Sequence, residues 1–221
     1  METRGYKHGT YGEYVPSIGT IPATSGTVAV YVGTAPVNLV KGYKEKDLIN
    51  RPVKVSNLTE AQNMIGYSKD WESFTLSEAV KLHFDNDIGN VGPVLFINVL
   101  NPELHKKETE TSHEATFVNG QAIIISDKII LDTLKLDGKT ADVDYTVRYD
   151  YNLNRVVLES DTITGTVTVT YSEVDTKAID KSMIIGKVTE DGEYEGLGAI
   201  NLIYTNLNLI PNILAAPGWS S

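Results

Sequence analysis

Apolar and polar positions fall into distinct textures along this chain, and each predicts a different kind of element. The first clear apolar run, Val28-Ala29-Val30-Tyr31-Val32, stops at Gly33-Thr34-Ala35-Pro36, which predicts a largely buried strand running into a turn. Pro52-Val53-Lys54-Val55 predicts a short strand, and Ser56 is the expected N-cap of a helix that carries Leu58, Ala61 and Ile65 on one face and closes at Gly66. Thr75-Leu76-Ser77-Glu78 has capping-box spacing for a second helix running to about Asp85, with Leu76, Ala79, Val80 and His83 on neighbouring helical positions. Val94-Leu95-Phe96-Ile97 then predicts a central strand. Strand, helix, helix and strand is the alternation of an α/β layer.

Over residues 106–181 the helical period disappears and short strands separated by turn residues take over. Strands are predicted at 115–118, 122–125, 129–136, 145–149, 155–159 and 166–171, with Asn119-Gly120 as a hairpin signal between the first two. Thr166-Val167-Thr168-Val169-Thr170-Tyr171 has period two, with threonines on one face and larger apolar side chains on the other. The α/β texture returns at Met183-Ile184-Ile185-Gly186, followed by a predicted helix over 195–206 using Leu197, Ile200, Ile203 and Tyr204, and a strand within 211–218. A buried parallel strand should be followed by a crossover helix, and none follows. The expectation is that the chain is the N-terminal part of a longer gene product, or that a partner supplies the missing layer.

Residues 1–26 have a third texture, in which Gly5, Gly9, Gly12, Gly19 and Gly26 alternate with tyrosines and two prolines. Tyr11-Gly12-Glu13-Tyr14-Val15-Pro16 favours extended backbone, because proline fixes φ and biases the residue before it away from helix. Such a strand can fold back on its own domain or pair with another subunit through backbone hydrogen bonds. Tyr6, Tyr11, Glu13, Tyr14, Val15 and Pro16 are therefore the candidate contact residues. The expected fold is α/β: a layered sheet with flanking helices over 27–105 and 182–221, an inserted all-β module over 106–181, and an extended N-terminal arm over 1–26.

A chain of 221 residues can bury a substantial core, and its lack of cysteine excludes disulfides, thiolate metal sites and cysteine catalysis. Met1-Glu2-Thr3-Arg4 leads into no apolar signal region, and no apolar stretch reaches the ~20 residues a membrane-spanning helix needs, so no membrane insertion is expected. The formal charge of -10 argues against direct nucleic-acid binding, which relies on clustered lysine and arginine. The one modestly basic stretch, 41–51, also holds Glu45 and Asp47 and reads as a solvated loop.

Catalytic and metal chemistry find little footing. His8, His83, His105 and His113 form no compact metal motif, and Asp137, Asp142, Asp144 and Asp150 lack calcium-loop spacing and suit turns and hairpins. Gly196-Leu197-Gly198-Ala199-Ile200-Asn201 begins like a dinucleotide loop but carries Asn201 where a third glycine or alanine belongs, so both glycines are expected to permit a tight helix start. Ser220 and Ser221 follow Gly218-Trp219, without the Gly-x-Ser-x-Gly elbow of a hydrolase. No metal, cofactor or enzymatic activity is expected.

Taken in order, these pieces resemble the contractile tail sheath proteins of tailed phages, prophages and R-type bacteriocins. The resemblance is carried by Tyr6-Lys7-His8-Gly9-Thr10-Tyr11-Gly12-Glu13-Tyr14-Val15-Pro16, Val30-Tyr31-Val32-Gly33-Thr34-Ala35-Pro36, residues 76–87 leading into Val94-Leu95-Phe96-Ile97-Asn98-Val99, Asp144-Tyr145-Thr146-Val147, Val167-Thr168-Val169-Thr170-Tyr171, Gly196-Leu197-Gly198-Ala199 and Ile213-Leu214-Ala215-Ala216-Pro217-Gly218. It implies a structural subunit, made in the bacterial cytoplasm and ending in a virion tail or phage-tail-like particle. Such subunits polymerise helically around an inner tail tube protein, with baseplate and tail terminator proteins as further partners, and contract to drive the tube through a target envelope. The resemblance also implies that the arm joins strands of neighbouring subunits, and that contraction draws on free energy stored in assembly rather than on a nucleotide. Family members continue well past the Ala-Ala-Pro-Gly strand into the domain that faces the tube and accepts arms, so those roles fall on no residue here. The alternative reading is a β-rich adhesion or carbohydrate-binding module of a phage-like particle, in which the arm tyrosines stack on sugars.

Overall fold

Packing of apolar strands against short capped helices produces a mixed α/β fold, seen in a computed structural model that describes residues 27–219. The first strand, β1 (Ala29–Gly33), is followed by β2 (Pro52–Val55), helices α1 (Leu58–Met64) and α2 (Leu76–Phe84), and β3 (Val94–Asn98), every residue of which is buried. β1 and β3 are parallel, with Ala29 opposite Val94 and Gly33 opposite Asn98, while β2 runs antiparallel along the far side of β3. Tyr31 stacks on Phe96 with ring centroids 5.9 Å apart and meets His83 of α2 edge-on at 5.5 Å, so α2 lies over that face of the sheet.

Local chemistry sets the helix starts differently from the sequence expectation. Asn57, not Ser56, caps α1: its side chain accepts from the Glu60 amide at 2.8 Å while the Glu60 carboxylate accepts from the Ser56 amide at 2.7 Å. This is a variant of the capping box in which the returning bond comes from the amide of the residue before the N-cap. Thr75 makes no side-chain cap to α2. Its hydroxyl instead accepts from the Thr34 amide at 3.2 Å, and the Thr34 hydroxyl accepts from the Thr75 amide at 3.0 Å. The two threonines thereby tie the end of β1 to the start of α2.

Residues 106–181 supply β4 (Thr111–Phe117), β5 (Gln121–Ile124), β6 (Lys135–Leu136), β7 (Thr146–Asp150), β8 (Arg155–Glu159) and β9 (Gly165–Tyr171). They form two three-stranded sheets, β4-β9-β6 and β5-β8-β7. Asn119 and Gly120 adopt φ of 51° and 77°, the two left-handed positions of a tight hairpin turn. The hairpin nevertheless stops at a single Val118–Gln121 bridge, because β4 leaves to pair with β9 and β5 with β8. The predicted strand over 129–136 is broken by a 3-10 turn at Leu131–Thr133. Helices α3 (Lys181–Ile185) and α4 (Asn201–Leu207) and the strand β10 (Ile213–Ala215) complete the described chain. β10 adds in parallel to the free side of β1, giving the sheet order β10-β1-β3-β2.

The two groups of strands meet along a buried seam. Leu39, from the 3-10 turn Val37–Leu39, packs into the apolar cluster of the β-rich segment, whereas Ile130, from that segment, packs into the cluster around the four-stranded sheet. Asn38 is fully buried between them and donates to the carbonyls of Asp127 and Ile129, both at 2.9 Å. Two carbonyl acceptors fix the orientation of its amide, leaving Oδ1 without a partner. Tyr151 donates to the Gln62 carbonyl at 2.8 Å, and Ser68 donates to Asp127 at 2.5 Å.

Replacing Asn38 with alanine leaves the buried Ile129 carbonyl and the half-buried Asp127 carbonyl without this donor, so Asn38→Ala should destabilise the chain by about 2–4 kcal/mol in urea unfolding. The exposed-end cap variant Asn57→Ala should cost only ~1 kcal/mol. Equal losses for the two variants would remove Asn38 from its place at the seam.

Candidate functional site

The candidate contact residues Tyr6, Tyr11, Glu13, Tyr14, Val15 and Pro16, with His8, Ser220 and Ser221, lie outside the described residues. Among the described residues a cleft of about 590 Å³ lies beyond the carboxyl end of β3. Asn50, Asn101, His105, Ser182, Lys187 and Glu195 supply its polar groups, and Ile49, Val99, Leu104, Met183 and Ile185 its apolar wall. Crevices at the carboxyl ends of parallel strands are where open α/β sheets present loops. Three separate stretches of chain converge on this one.

Asn98 sets the floor. Its buried Oδ1 accepts from the amides of Ala35 at 2.8 Å and Leu100 at 3.0 Å, and its Nδ2 donates to the Leu100 carbonyl at 2.8 Å. The chain then turns through Asn101 to His105, whose amide donates to the Asn101 carbonyl at 2.8 Å. The His105 ring Nδ1 accepts from the Asn101 amide at 3.1 Å, which places its proton on Nε2. Burial holds the His105 imidazole below its ordinary value, with Asp175 pulling weakly the other way. On the opposite wall Asp180 accepts from the amides of Ser182 and Met183 and from the Ser182 hydroxyl at 2.6 Å. Ser182 therefore serves the start of α3, and the arrangement offers hydrogen-bonding groups over an apolar wall rather than an activated nucleophile.

The other two described histidines, His83 and His113, are bound elsewhere in the fold. His83 accepts a hydrogen bond from the Tyr31 hydroxyl at 2.9 Å while its Nδ1 meets the Val91 carbonyl at 2.8 Å. His113 lies on β4 opposite Val169. Among the described residues no group of three or more histidine, aspartate or glutamate side chains is placed to hold a metal. Asp144 accepts from the Thr140 amide at 2.7 Å and Asp150 from the Asn152 and Leu153 amides at 3.1 Å, both within turns.

The stretch 41–51 is tied down rather than free. Lys41 pairs with Asp142 at 2.5 Å, Lys44 with Glu103 at 2.9 Å, and Arg51 with Asp47 at 3.1 Å and Glu193 at 2.7 Å. Lys44, and then the Tyr43 hydroxyl, hold the Glu103 carboxyl below its usual value. Exposed pairs of this kind stabilise by little each but orient the loop.

Gly196 and Gly198 prove unlike one another. Gly196 has φ of 52°, and a Cβ there would lie 2.4 Å from the carbonyl oxygens of Met183 and Ile184, so this glycine permits the close approach that seats α3 beside the turn Gly196–Ile200. A Cβ on Gly198 would meet nothing nearer than 3.5 Å. Sequence reasoning missed Asn38 and Asn98, whose signal is a lone amide in an apolar run, Val37-Asn38-Leu39 and Phe96-Ile97-Asn98-Val99.

Among the described residues no helix is long and apolar enough to cross a membrane. Comparison with protein-family models, curated proteins and solved structures returns no match.

Two outcomes follow from this geometry. Because the folded state resists protonating His105, the unfolded chain takes up the proton first as pH falls below about 6.5, and stability drops from there until the folded-state value is passed. His105→Gln should flatten the fall in urea midpoint between about pH 7 and pH 5; an unchanged slope counts against the buried imidazole. Gly196→Ala should cost about 1–3 kcal/mol through backbone strain and collision, while Gly198→Ala should stay within about 0.5 kcal/mol of the parent.

Proposed function

We propose that this chain is a structural subunit of a contractile tail sheath, assembling with its own copies into a helical array around an inner tail tube, with baseplate and tail terminator proteins at its ends. In this reading the α/β part is a layered sheet with flanking helices, residues 106–181 are an inserted all-β module, and residues 1–26 are an extended arm that links neighbouring subunits. The particle is a virion tail or a phage-tail-like device made in the bacterial cytoplasm.

The observation that carries the proposal is the outer strand of the four-stranded sheet. β10 is parallel to β1, yet Ile213 and Leu214 are 48% and 53% exposed, and Ile210 just before it is 67% exposed. Strands in parallel sheets are normally covered on both faces, so such residues at the sheet margin suit burial by further protein. β1, the neighbour of this strand, begins at Ala29, so an arm formed by residues 1–26 would leave the sheet beside the uncovered margin. The seam described above adds a second support: hydrogen bonds and shared apolar packing let the β-rich segment move with the sheet as one body, which suits a subunit that must transmit movement. A head-to-tail contact whose rotation does not close gives an open helical array.

Electron microscopy of the complete gene product should show hollow tubes, and deletion of residues 1–26 should abolish them while leaving the thermal transition of the chain unchanged. Normal tubes from the deleted form would remove the arm from the proposal. Dispersed particles that retain binding to a glycan surface after the deletion would favour an adhesion module instead.

A further inference from the structure

Among the described residues six strands lie at sheet margins, and four of them carry the features that discourage pairing with another chain: Pro52 and Lys54 on β2, His113 and Glu114 on β4, Lys135 on β6, and Arg148 and Asp150 on β7. β10 has no charge but is only three residues long and is bracketed by Pro211 and Pro217. β5, four residues long, has neither charge nor proline. Residues 115–126 contain no charged side chain in a chain whose formal charge is -10. Ile123 and Ile125 are nonetheless 42% and 81% exposed, and Val118 beside the turn is 64% exposed.

Backbone direction shows what this margin offers. The Ser160 amide donates to the Gly120 carbonyl at 2.9 Å, and the register continues with Ala122 opposite Leu158 and Ile124 opposite Val156. Hydrogen-bonded pairs alternate along an antiparallel ladder, so Gly120, Ala122 and Ile124 bond inward to β8 and Ile123 aims its amide and carbonyl outward; the same alternation carried one residue past the end of β5 turns Ile125 outward as well. Gln121 also faces out, and Val118 occupies it by bonds of 2.8 Å and 3.1 Å. What is left is a pair of residues, two apart, with both backbone groups directed away from the sheet.

We propose that β5 is a homotypic docking edge, pairing antiparallel with β5 of a second copy of this chain about a two-fold axis through Ile124. That register sets Ile123 of each copy opposite Ile125 of the other, so the outward backbone groups of both residues are matched. The four isoleucine side chains fall together on one face, since residues two apart share a face. The absence of charge selects this occupant: across a two-fold axis every residue meets a copy of its own neighbourhood, and an acidic chain repels itself wherever carboxylates are repeated there. The paired sheets become a continuous six-stranded sheet. A two-fold contact closes on itself and is not a contact of a polar helical array, so this pair is a state of the free chain and stands apart from the sheath reading.

Sedimentation equilibrium of the full chain should show a concentration-dependent dimer that is lost in Ile123→Lys and Ile125→Lys, with thermal transitions unchanged because both side chains are exposed. The lack of cysteine allows a second readout. Chains carrying Ile123→Cys mixed with chains carrying Ile125→Cys should oxidise to a covalent dimer, because opposed residues in such a pair have Cα atoms about 5.5 Å apart, within disulfide range. Either variant alone places its cysteines diagonally and should cross-link far more slowly. A chain that stays monomeric at all attainable concentrations, a dimer that survives both lysine variants, or cross-linking of one variant alone as fast as the mixture overturns the proposal.

Discussion

A buried side-chain amide that can be satisfied only from the far side of a seam constrains the whole molecule. Asn38 sits at 0% exposure with both donors on carbonyls of residues about ninety positions away in sequence. Neither carbonyl can be reached unless the turn Val37–Leu39 is driven into the β-rich segment, which is what Leu39 does by joining that segment's apolar cluster. The reciprocal insertion of Ile130 into the sheet's cluster means that neither side has a complete core alone. Burial supplies the gross stabilisation and the amide supplies the register, because an apolar contact tolerates sliding and a pair of directed hydrogen bonds does not.

The same logic operates at the carboxyl ends of β1 and β3. Asn98 and the Thr34–Thr75 exchange satisfy backbone groups where the strands stop and the chain must turn, and Gly33 is the residue that lets α2 close in: a Cβ there would lie 2.4 Å from the Thr75 hydroxyl. With both turns fixed, the segment 99–105 has one path available, and its passage opposite α3 leaves the cleft. The cleft is therefore a product of strand-end chemistry, and its half-buried imidazole is positioned by backbone, through the Asn101 amide, rather than by another ionisable side chain.

Elements whose evidence is local were legible in the sequence. The runs Val28 to Val32 and Val94 to Ile97 fall on β1 (Ala29–Gly33), buried except for half-buried Tyr31, and on the wholly buried β3, and the alternation over 166–171 matches a strand whose Val169 and Tyr171 are buried while Thr166 and Thr168 are exposed. Pairing was not legible. Asn119-Gly120 forms the tight turn its residues favour, but the strands beside it find better partners more than thirty residues further along, and nothing within the hairpin encodes that competition. Over 129–136, Ile129 and Leu131 pack into one cluster and Ile130 into the other, so an apolar run that reads as a strand becomes a turn under the demands of two cores. The cleft was illegible for a related reason: residues 49–50, 99–105 and 182–195 carry no shared pattern, and only the closed fold brings them together.

Charge and apolar exposure are distributed with a division of labour. Cations in the stretch 41–51 are drawn onto carboxylates at Asp142, Glu103 and Glu193, and a formal charge of -10 makes copies of the chain repel one another. Against that background an uncharged margin is the place where two copies meet at least electrostatic cost. The margins at β5 and β10 belong to different sheets, and the seam through Asn38 bonds the turn beside one to the segment that holds the other. Two hydrogen bonds and reciprocal apolar packing at the seam tie the position of β5 to that of the four-stranded sheet, so the two margins hold a defined relation within the fold.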